Sequence, residues 1–279
     1  MGGAGVSVIV PAYRAEATIG RAVRSLLAQT HADWEAVIVA DDGADYRALL
    51  AAEGLADPRL RFAATGRPGS GAPATRNVGL RAASRPLVAP LDSDDLWAPG
   101  RLAVLAPLAL ARGAAADNVV VVRERDGTEL STLFPRSGSV GQLTADRFLA
   151  TSVPMFFVLR RDLCPEWPED VNFCDDVVFN VLALDRVGPV PLAYTPMYEY
   201  RQREGSITFA ADAGARAEAC YRHVLERLAG DGFGIRDESL RHRFAAAVEA
   251  KRALNAAYEA AHAAGRVANF QEFIASQDD

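Results

Sequence analysis

From residue 6 to residue 91 the chain alternates short, continuous apolar runs with stretches of helical periodicity. VSVIVPA (6–12), WEAVIVADD (34–42), RLRFAAT (59–65) and PLVAPLD (86–92) read as buried strands. Between the first two, Ile19, Ala22, Val23, Leu26 and Leu27 make one apolar helical face, with Thr18 as the capping residue. DYRALLAAEGL (45–55) and PATRNVGLRAAS (73–84) read as a second and a third helix. Strands that are apolar on both faces and separated by helices predict a parallel sheet covered on both sides. The expected fold class is therefore a doubly wound α/β sheet.

After Pro99 the rhythm changes. RLAVLAPLALARG (101–113) is helical, and NVVVVRERDGTELSTLF (118–134) reads as a hairpin turning at Asp126-Gly127. PMFFVLRRDL (154–163) predicts another strand, and PVPLAYTPMYEYR (189–201) an extended segment. DDVVFNVLALDRVG (175–188) is an amphipathic helix that opens on two acids and closes at Gly188. From Phe209 onward only helical segments appear, broken near AGDGFGIRD (229–237). There is no internal repeat and no low-complexity linker.

Composition narrows the class. Half of the 279 residues are hydrophobic and 24% are charged, as in ordinary globular proteins. A net charge of −6 with no Lys/Arg run argues against a nucleic-acid surface. Cys164, Cys174 and Cys220 have no metal-ligand spacing and read as small buried hydrophobes, suited to a reducing compartment. The segment MGGAGVSVIVPAYRAE has no basic leader, and LAVLAPLALA is interrupted by Pro107, too short and broken to span a bilayer. The expectation is a cytoplasmic protein, with peripheral association at the inner face of the membrane left open.

Chemistry concentrates at the ends of the apolar runs. In doubly wound sheets ligands bind outside the carboxyl ends of the strands. Three such ends here are Pro11-Ala12-Tyr13, Asp41-Asp42-Gly43 and Asp92-Ser93-Asp94-Asp95. Carboxylates this close repel one another, so a positive partner should sit among them or all must reach water. GRPGSGAP (66–73) lacks the G-x-G-x-x-G dinucleotide fingerprint and reads as a mobile loop.

The blocks VSVIVPAYRAEATIGRAVRSLLAQTHADWEAVIVADDG, ATRNVGLRAASRPLVAPLDSDDLWAPGRL, CDDVVFNVLAL and YRQREGSIT together resemble the family-2 glycosyltransferases with a GT-A fold. The resemblance covers roughly residues 5–208. It implies a GT-A domain over 1–208, with a nucleotide-binding half (1–98) and an acceptor-binding half (99–208), followed by a helical C-terminal extension over 209–279. It also implies transfer, with inversion, of a sugar from a nucleoside-diphosphate sugar to a hydroxyl acceptor. A UDP-sugar is the expected donor. The acceptor would be a surface polysaccharide, a lipid-linked oligosaccharide or a protein glycan.

The family's D-x-D motif maps onto Asp92, Ser93 and Asp94. The resemblance implies a divalent metal, Mn²⁺ or Mg²⁺, held by Asp94, with Asp92 contacting ribose or metal-bound water; hard oxygen ligands suit these cations. Asp95 would cap the next helix. Pro11, Ala12 and Tyr13 would line the nucleobase pocket, Tyr13 by stacking, and Asp42, next to Asp41, would accept from a base imide. Arg76 and Asn77 would touch the diphosphate or orient Asp92. Asp176 is the expected general base, a role that contributes ~10²–10⁴-fold in rate, and Asp175 would bind an acceptor hydroxyl or cap its helix.

One position departs from the family. Many relatives carry a His where this chain has Arg203. Arg cannot ligate a cation but clamps phosphate oxygens in a planar fork. A weaker metal requirement is the expected consequence. Two other readings stay open: a degenerate module that binds a nucleotide sugar or glycan without turnover, and a sugar nucleotidyltransferase, for which VPAYRAEATIG lacks the Gly-rich basic loop. The tail leaves a homodimer open.

Overall fold

Val6–Ala12, apolar except at Ser7, form β1, buried at all but Pro11. Trp34–Ala40 (β2) is buried at every position, as a strand covered on both faces must be. The computed structural model describes residues 4–203, 212–267, 273 and 276. Along the chain follow α1 (Ile19–Leu27), α2 (Tyr46–Ala52), β3 (Leu60–Ala64), α3 (Ala72–Ala82), β4 (Leu87–Pro90), β5 (Leu96–Trp97) and α4 (Arg101–Arg112). Then come β6 (Ala114–Arg123), β7 (Glu129–Thr132), β8 (Val140–Leu143), α5 (Ala145–Leu149), β9 (Val158–Arg160), α6 (Asp175–Val187) and β10 (Val190–Gln202).

The strands join one sheet in the order β3-β2-β1-β4-β9-β6-β10-β5, with β7 added to β6 and β8 to β10. β1 pairs in parallel with β2 and β4, β2 with β3, and β6 with β10. Because β9 is antiparallel to both β4 and β6, those two strands also point the same way. Six strands thus end on one edge of a mostly parallel sheet. The α/β expectation holds.

Helix α3 reaches this sheet through Gly79. A Cβ there would lie 2.5 Å from Ile9 Cγ2, so only glycine permits the approach. In α4, Arg101 is fully buried. It donates to Asp117 Oδ1 at 2.9 and 3.0 Å and to the Phe156 carbonyl at 2.8 Å, and it lies over the Trp97 ring at 4.3 Å. This ion pair ties α4 to β6 inside the core.

Several sequence expectations are corrected. The strand expected over 154–163 shrinks to β9, because the neighbouring strands offer it only Leu87, Val88, Ala114 and Ala115 as partners; Phe156 and Phe157 leave the ladder to fill the core. Pro107 does not interrupt its segment but sits on an exposed turn inside α4. Thr18 precedes α1 without capping it, its hydroxyl donating instead to the Ala15 carbonyl at 3.3 Å. β5 was not foreseen. The hairpin turn at Asp126-Gly127 forms as expected, with Asp126 Oδ1 accepting from Thr128 N at 3.0 Å.

The chain divides into two compact units, Met1–Arg203 and Glu204–Asp279. The boundary expected at 208/209 lies outside the described residues. In the second unit, α7 (Ala213–Ala229) and α8 (Glu238–Ala263) are linked by Arg252–Glu218 at 2.8 Å and by Asn255 donating to the Gly214 carbonyl at 3.0 Å. These contacts bring the start of α7 beside the later turns of α8, an antiparallel pair. The break expected near 229–237 separates them. Among the described residues no helix is long and apolar enough to cross a membrane.

Removing one partner of a buried pair strands the other charge, which costs about 3–5 kcal/mol. Asp117→Ala is expected to destabilise the first unit by that amount in urea unfolding, and Asp117→Asn, which keeps an acceptor for Arg101, by less.

Candidate functional site

The ends of β1, β2 and β4 lie side by side, so their polar residues meet on one edge. Asp41 is buried and serves the loop that follows β3. Its carboxylate accepts from the Thr65 hydroxyl at 2.7 Å and from the amides of Ser70 and Gly71, each at 2.9 Å. The GRPGSGAP loop is therefore fastened, where the sequence suggested a mobile one. Asp42 accepts from the Arg14 amide at 2.5 Å and the Tyr46 hydroxyl at 2.7 Å. Those bonds, with one from Ala44 N, outweigh partial burial and hold its carboxyl below the usual range. Tyr13 is 49% exposed beside half-buried Pro11 and buried Ala12, with the Arg14 guanidinium 5.2 Å from its ring. An aromatic face is open to solvent at this edge.

Leu91–Asp95 carries the acidic cluster, and arginines answer it. Arg76, on the second turn of α3 and 4% exposed, donates to Asp92 Oδ1 at 2.6 Å and also pairs with Asp175. Arg21 donates to the Asp94 carbonyl at 3.0 Å and pairs with Glu124, which Arg201 binds from the other side at 3.0 Å. Arg203 stands 3.7 Å from Asp94 Oδ2. The positive partners required by the sequence are thus guanidinium groups.

Asp95 is not a helix cap. It is buried, accepting from the Tyr198 hydroxyl and the Arg201 amide, both at 2.8 Å, while α4 begins after Gly100. Asn77 likewise does not turn toward Asp92. Its amide donates to the Trp167 carbonyl at 2.9 Å and to Glu169 at 3.0 Å, and accepts from Trp167 N at 2.8 Å. Trp167 in turn stacks on Phe179 of α6, ring centroids 3.7 Å apart and planes 4° from parallel.

That stack fixes the helix whose first two residues are Asp175 and Asp176. Asp175 is buried against Arg76. Asp176 is partly buried, and burial followed by the neighbouring Asp175 charge pushes its carboxyl up to about 7, against a smaller opposing pull from Arg76. One arginine therefore joins the β4 loop to the N-terminus of α6.

A divalent cation would have Asp94 and Asp92 as its oxygen donors. Burial and the Asp92 charge raise the Asp94 carboxyl, so a cation between them would relieve that repulsion. Among the described residues no three His, Cys, Asp or Glu side chains gather as a metal-holding group. The residues fit a cation that takes its remaining ligands from a bound phosphate and water, not one enclosed by protein alone.

Residues 7–167, more than half of the chain, match glycosyl transferase family 2. The succinoglycan biosynthesis protein ExoO of Rhizobium meliloti is 32% identical over 261 residues, spanning 85% of this chain and 72% of that protein. The chain belongs to glycosyl transferase family 2. WfgD of Escherichia coli, a UDP-Glc:alpha-D-GlcNAc-diphosphoundecaprenol beta-1,3-glucosyltransferase, is 37% identical over 97 residues, 35% of this chain and 38% of its own length. The chain spans about a third of the length of the first curated relatives it matches. Among solved structures, the mannosyltransferase PcManGT of Pyrobaculum calidifontis, in complex with GDP-Man and Mn²⁺, superposes with a TM-score of 0.57 at 19% identity, covering 99% of this chain and 79% of that one. The shared architecture is GT-A.

Within this family-2 fold, sequence reasoning missed Arg21, Glu124, Tyr198 and Arg201. No local pattern marks an ion chain drawn from α1, from β10 and from the residue after β6. Burial pushes the Cys164 thiol up to about 12. Arg76→Met leaves Asp92 and Asp175 without their shared cation and should cost about 3–5 kcal/mol in denaturant unfolding. Asn77→Ala orphans the Trp167 amide and should cost about 1–3 kcal/mol.

Proposed function

We propose that this chain is an inverting glycosyltransferase. It moves a sugar from a nucleoside-diphosphate sugar, UDP-linked in the first instance, to a hydroxyl acceptor in polysaccharide or lipid-linked glycan synthesis. The observation that carries the reading is Arg76, whose guanidinium touches a carboxylate of the D-x-D loop and the acid that opens α6. Donor-side and acceptor-side chemistry then share one edge of the sheet. Support also comes from family membership and from the donors named for WfgD and PcManGT.

In the proposed reaction the nucleobase lies against Tyr13, with Pro11 and Ala12 beside it and Asp42 at its edge. Asp94 and Asp92 would hold Mn²⁺ or Mg²⁺. When bound, the cation supplies Lewis-acid neutralisation of the leaving group. Arg203, at the position where the resemblance expects a His, adds positive charge beside Asp94 and grips phosphate oxygens. Asp176 takes the proton of the acceptor hydroxyl as its oxygen bonds to the anomeric carbon. The bond from that carbon to the diphosphate oxygen breaks, and the nucleoside diphosphate leaves with the electron pair. Asp175, neutralised by Arg76, keeps Asp176 at the right place on α6.

A base works only when deprotonated, so a carboxyl raised to about 7 moves the acid limb of the rate profile upward. kcat/KM should climb about tenfold per pH unit below 7 and level off above it. Asp176→Asn should lose about 10²–10⁴-fold in kcat and still bind nucleotide. A limb already complete by pH 5 would remove Asp176 from the role.

Donor binding is tested separately by thermal shift with UDP, GDP, dTDP and CDP, with Mn²⁺ or with a chelator. Saturating UDP at a hundred times its Kd should add about 2.7 kcal/mol. The gain should shrink with the chelator and vanish in Asp94→Ala. Arg203→His should make it depend more steeply on the metal. No shift with any nucleotide would overturn the reading.

A further inference from the structure

A groove of about 650 Å³ lies over β6 and β10, apart from Asp176 and the nucleobase residues. That volume falls within the roughly 300–1,000 Å³ of small-molecule sites. Val120, Val122 and Pro196 supply aliphatic surface. Two ion pairs stand in its walls, Glu129–Arg136 at 2.5 Å and Glu199–Arg201 at 2.7 Å. Glu129 and Arg136 are about half exposed, so their pairing adds little to stability and both remain open to other partners.

The lining charges cancel. A nucleotide or a cation gains no net attraction there, so a charged ligand is disfavoured. Carboxylates only accept hydrogen bonds and guanidinium groups only donate them, and a hydroxyl group does both. Paired donors and acceptors beside aliphatic surface match the hydroxyl groups and C–H face of a neutral sugar ring.

The groove is also joined to the acidic loop. Arg201, whose side chain lines it, donates its amide to Asp95 Oδ1 at 2.8 Å. The same side chain binds Glu124, which pairs with Arg21, and Arg21 holds the Asp94 carbonyl. β6 and β10 end on the edge where the D-x-D loop ends. A ligand in the groove would therefore lie alongside the donor site.

We propose that this groove is a subsite for a neutral saccharide, holding the acceptor glycan beyond the sugar that reacts. The inference rests on the glycosyltransferase reading for its link to acceptor, while the saccharide chemistry rests on the groove. Saturation-transfer NMR on the full chain with cellotetraose, maltotetraose and mannotetraose, each with and without UDP, tests it. At least one tetrasaccharide should show transfer that persists when UDP is present. Thr195→Trp, which fills the groove from an exposed position, should abolish the signal, and Arg136→Ala should weaken it about tenfold. UDP-induced thermal stabilisation should be unchanged in both variants, which also shows that they fold. No transfer from any tetrasaccharide, or equal transfer in Thr195→Trp, would overturn the subsite. Displacement of the saccharide by a UDP-sugar but not by UDP would assign the groove to the donor's sugar and overturn the acceptor assignment. If the saccharide binds and UDP does not, the glycosyltransferase reading fails while the saccharide site stands.

Discussion

Arg76 is a cation that the fold has to bury, and much else follows from that burden. Taking a guanidinium out of water costs several kcal/mol unless carboxylates meet it with good geometry. Asp92 and Asp175 do so from positions 16 and 99 residues away, one on the loop after β4 and one at the start of α6. Both carboxylates need the arginine as much as it needs them. The three groups are thus mutually obligatory, and α3 has to hold its place against the sheet for the contact to survive. Gly79 permits that seat by removing the Cβ that would strike Ile9. Asn77, the next residue after Arg76, fastens the same helix turn to Trp167 and through it to Phe179 of α6.

This arrangement separates two adjacent acids. Asp175 faces Arg76 and has its charge balanced. Asp176 keeps only a distant share of that guanidinium, and its burial and its neighbour raise its carboxyl toward neutrality. Burial raises both carboxyls and Arg76 opposes the rise at both, but its ion pair is with Asp175. A group that must take up a proton near neutral pH needs that kind of environment.

The fold was largely legible because continuous apolar runs at β1, β2 and β4 leave no other way to bury both strand faces. The convergence of their ends followed from parallelism alone. What escaped was whatever depended on long-range partners. Asp95 looks like a cap beside Pro99, and only the return of β10 shows that Tyr198 and Arg201 claim it. Asn77 looks like a phosphate contact beside Arg76, yet consecutive helix positions point about 100° apart, and it faces Trp167. β9 was overestimated because an apolar run does not reveal how many ladder partners its neighbours can offer. Two of the three polar strand ends were visible as acidic, but the arginines that approach the Asp92–Asp95 loop come from α1, from α3 and from just beyond β10.

The acidic loop is bracketed at both ends by the sheet. β4 leads into it in parallel with β1, and β5 leaves it antiparallel to β10, pairing Leu96 with Glu199 and Trp97 with Tyr198. Asp95 then spans the bracket, one oxygen on the Tyr198 hydroxyl and the other on the Arg201 amide. A loop closed in this way keeps its shape before any ligand arrives, so little conformational freedom remains to be lost on binding. The strain of crowding Asp92, Asp94 and Asp95 is carried by the same bracket, because leaving it would break the β5 ladder and orphan a buried carboxyl. Repulsion among the acids is held in place by the fold and stands ready to be relieved by positive charge. Arg203, 44% exposed and at the very end of the first unit, is the least constrained of the guanidinium groups that approach the cluster. It is accordingly the guanidinium with the most freedom to move, while Arg76 and Arg21 remain with the frame.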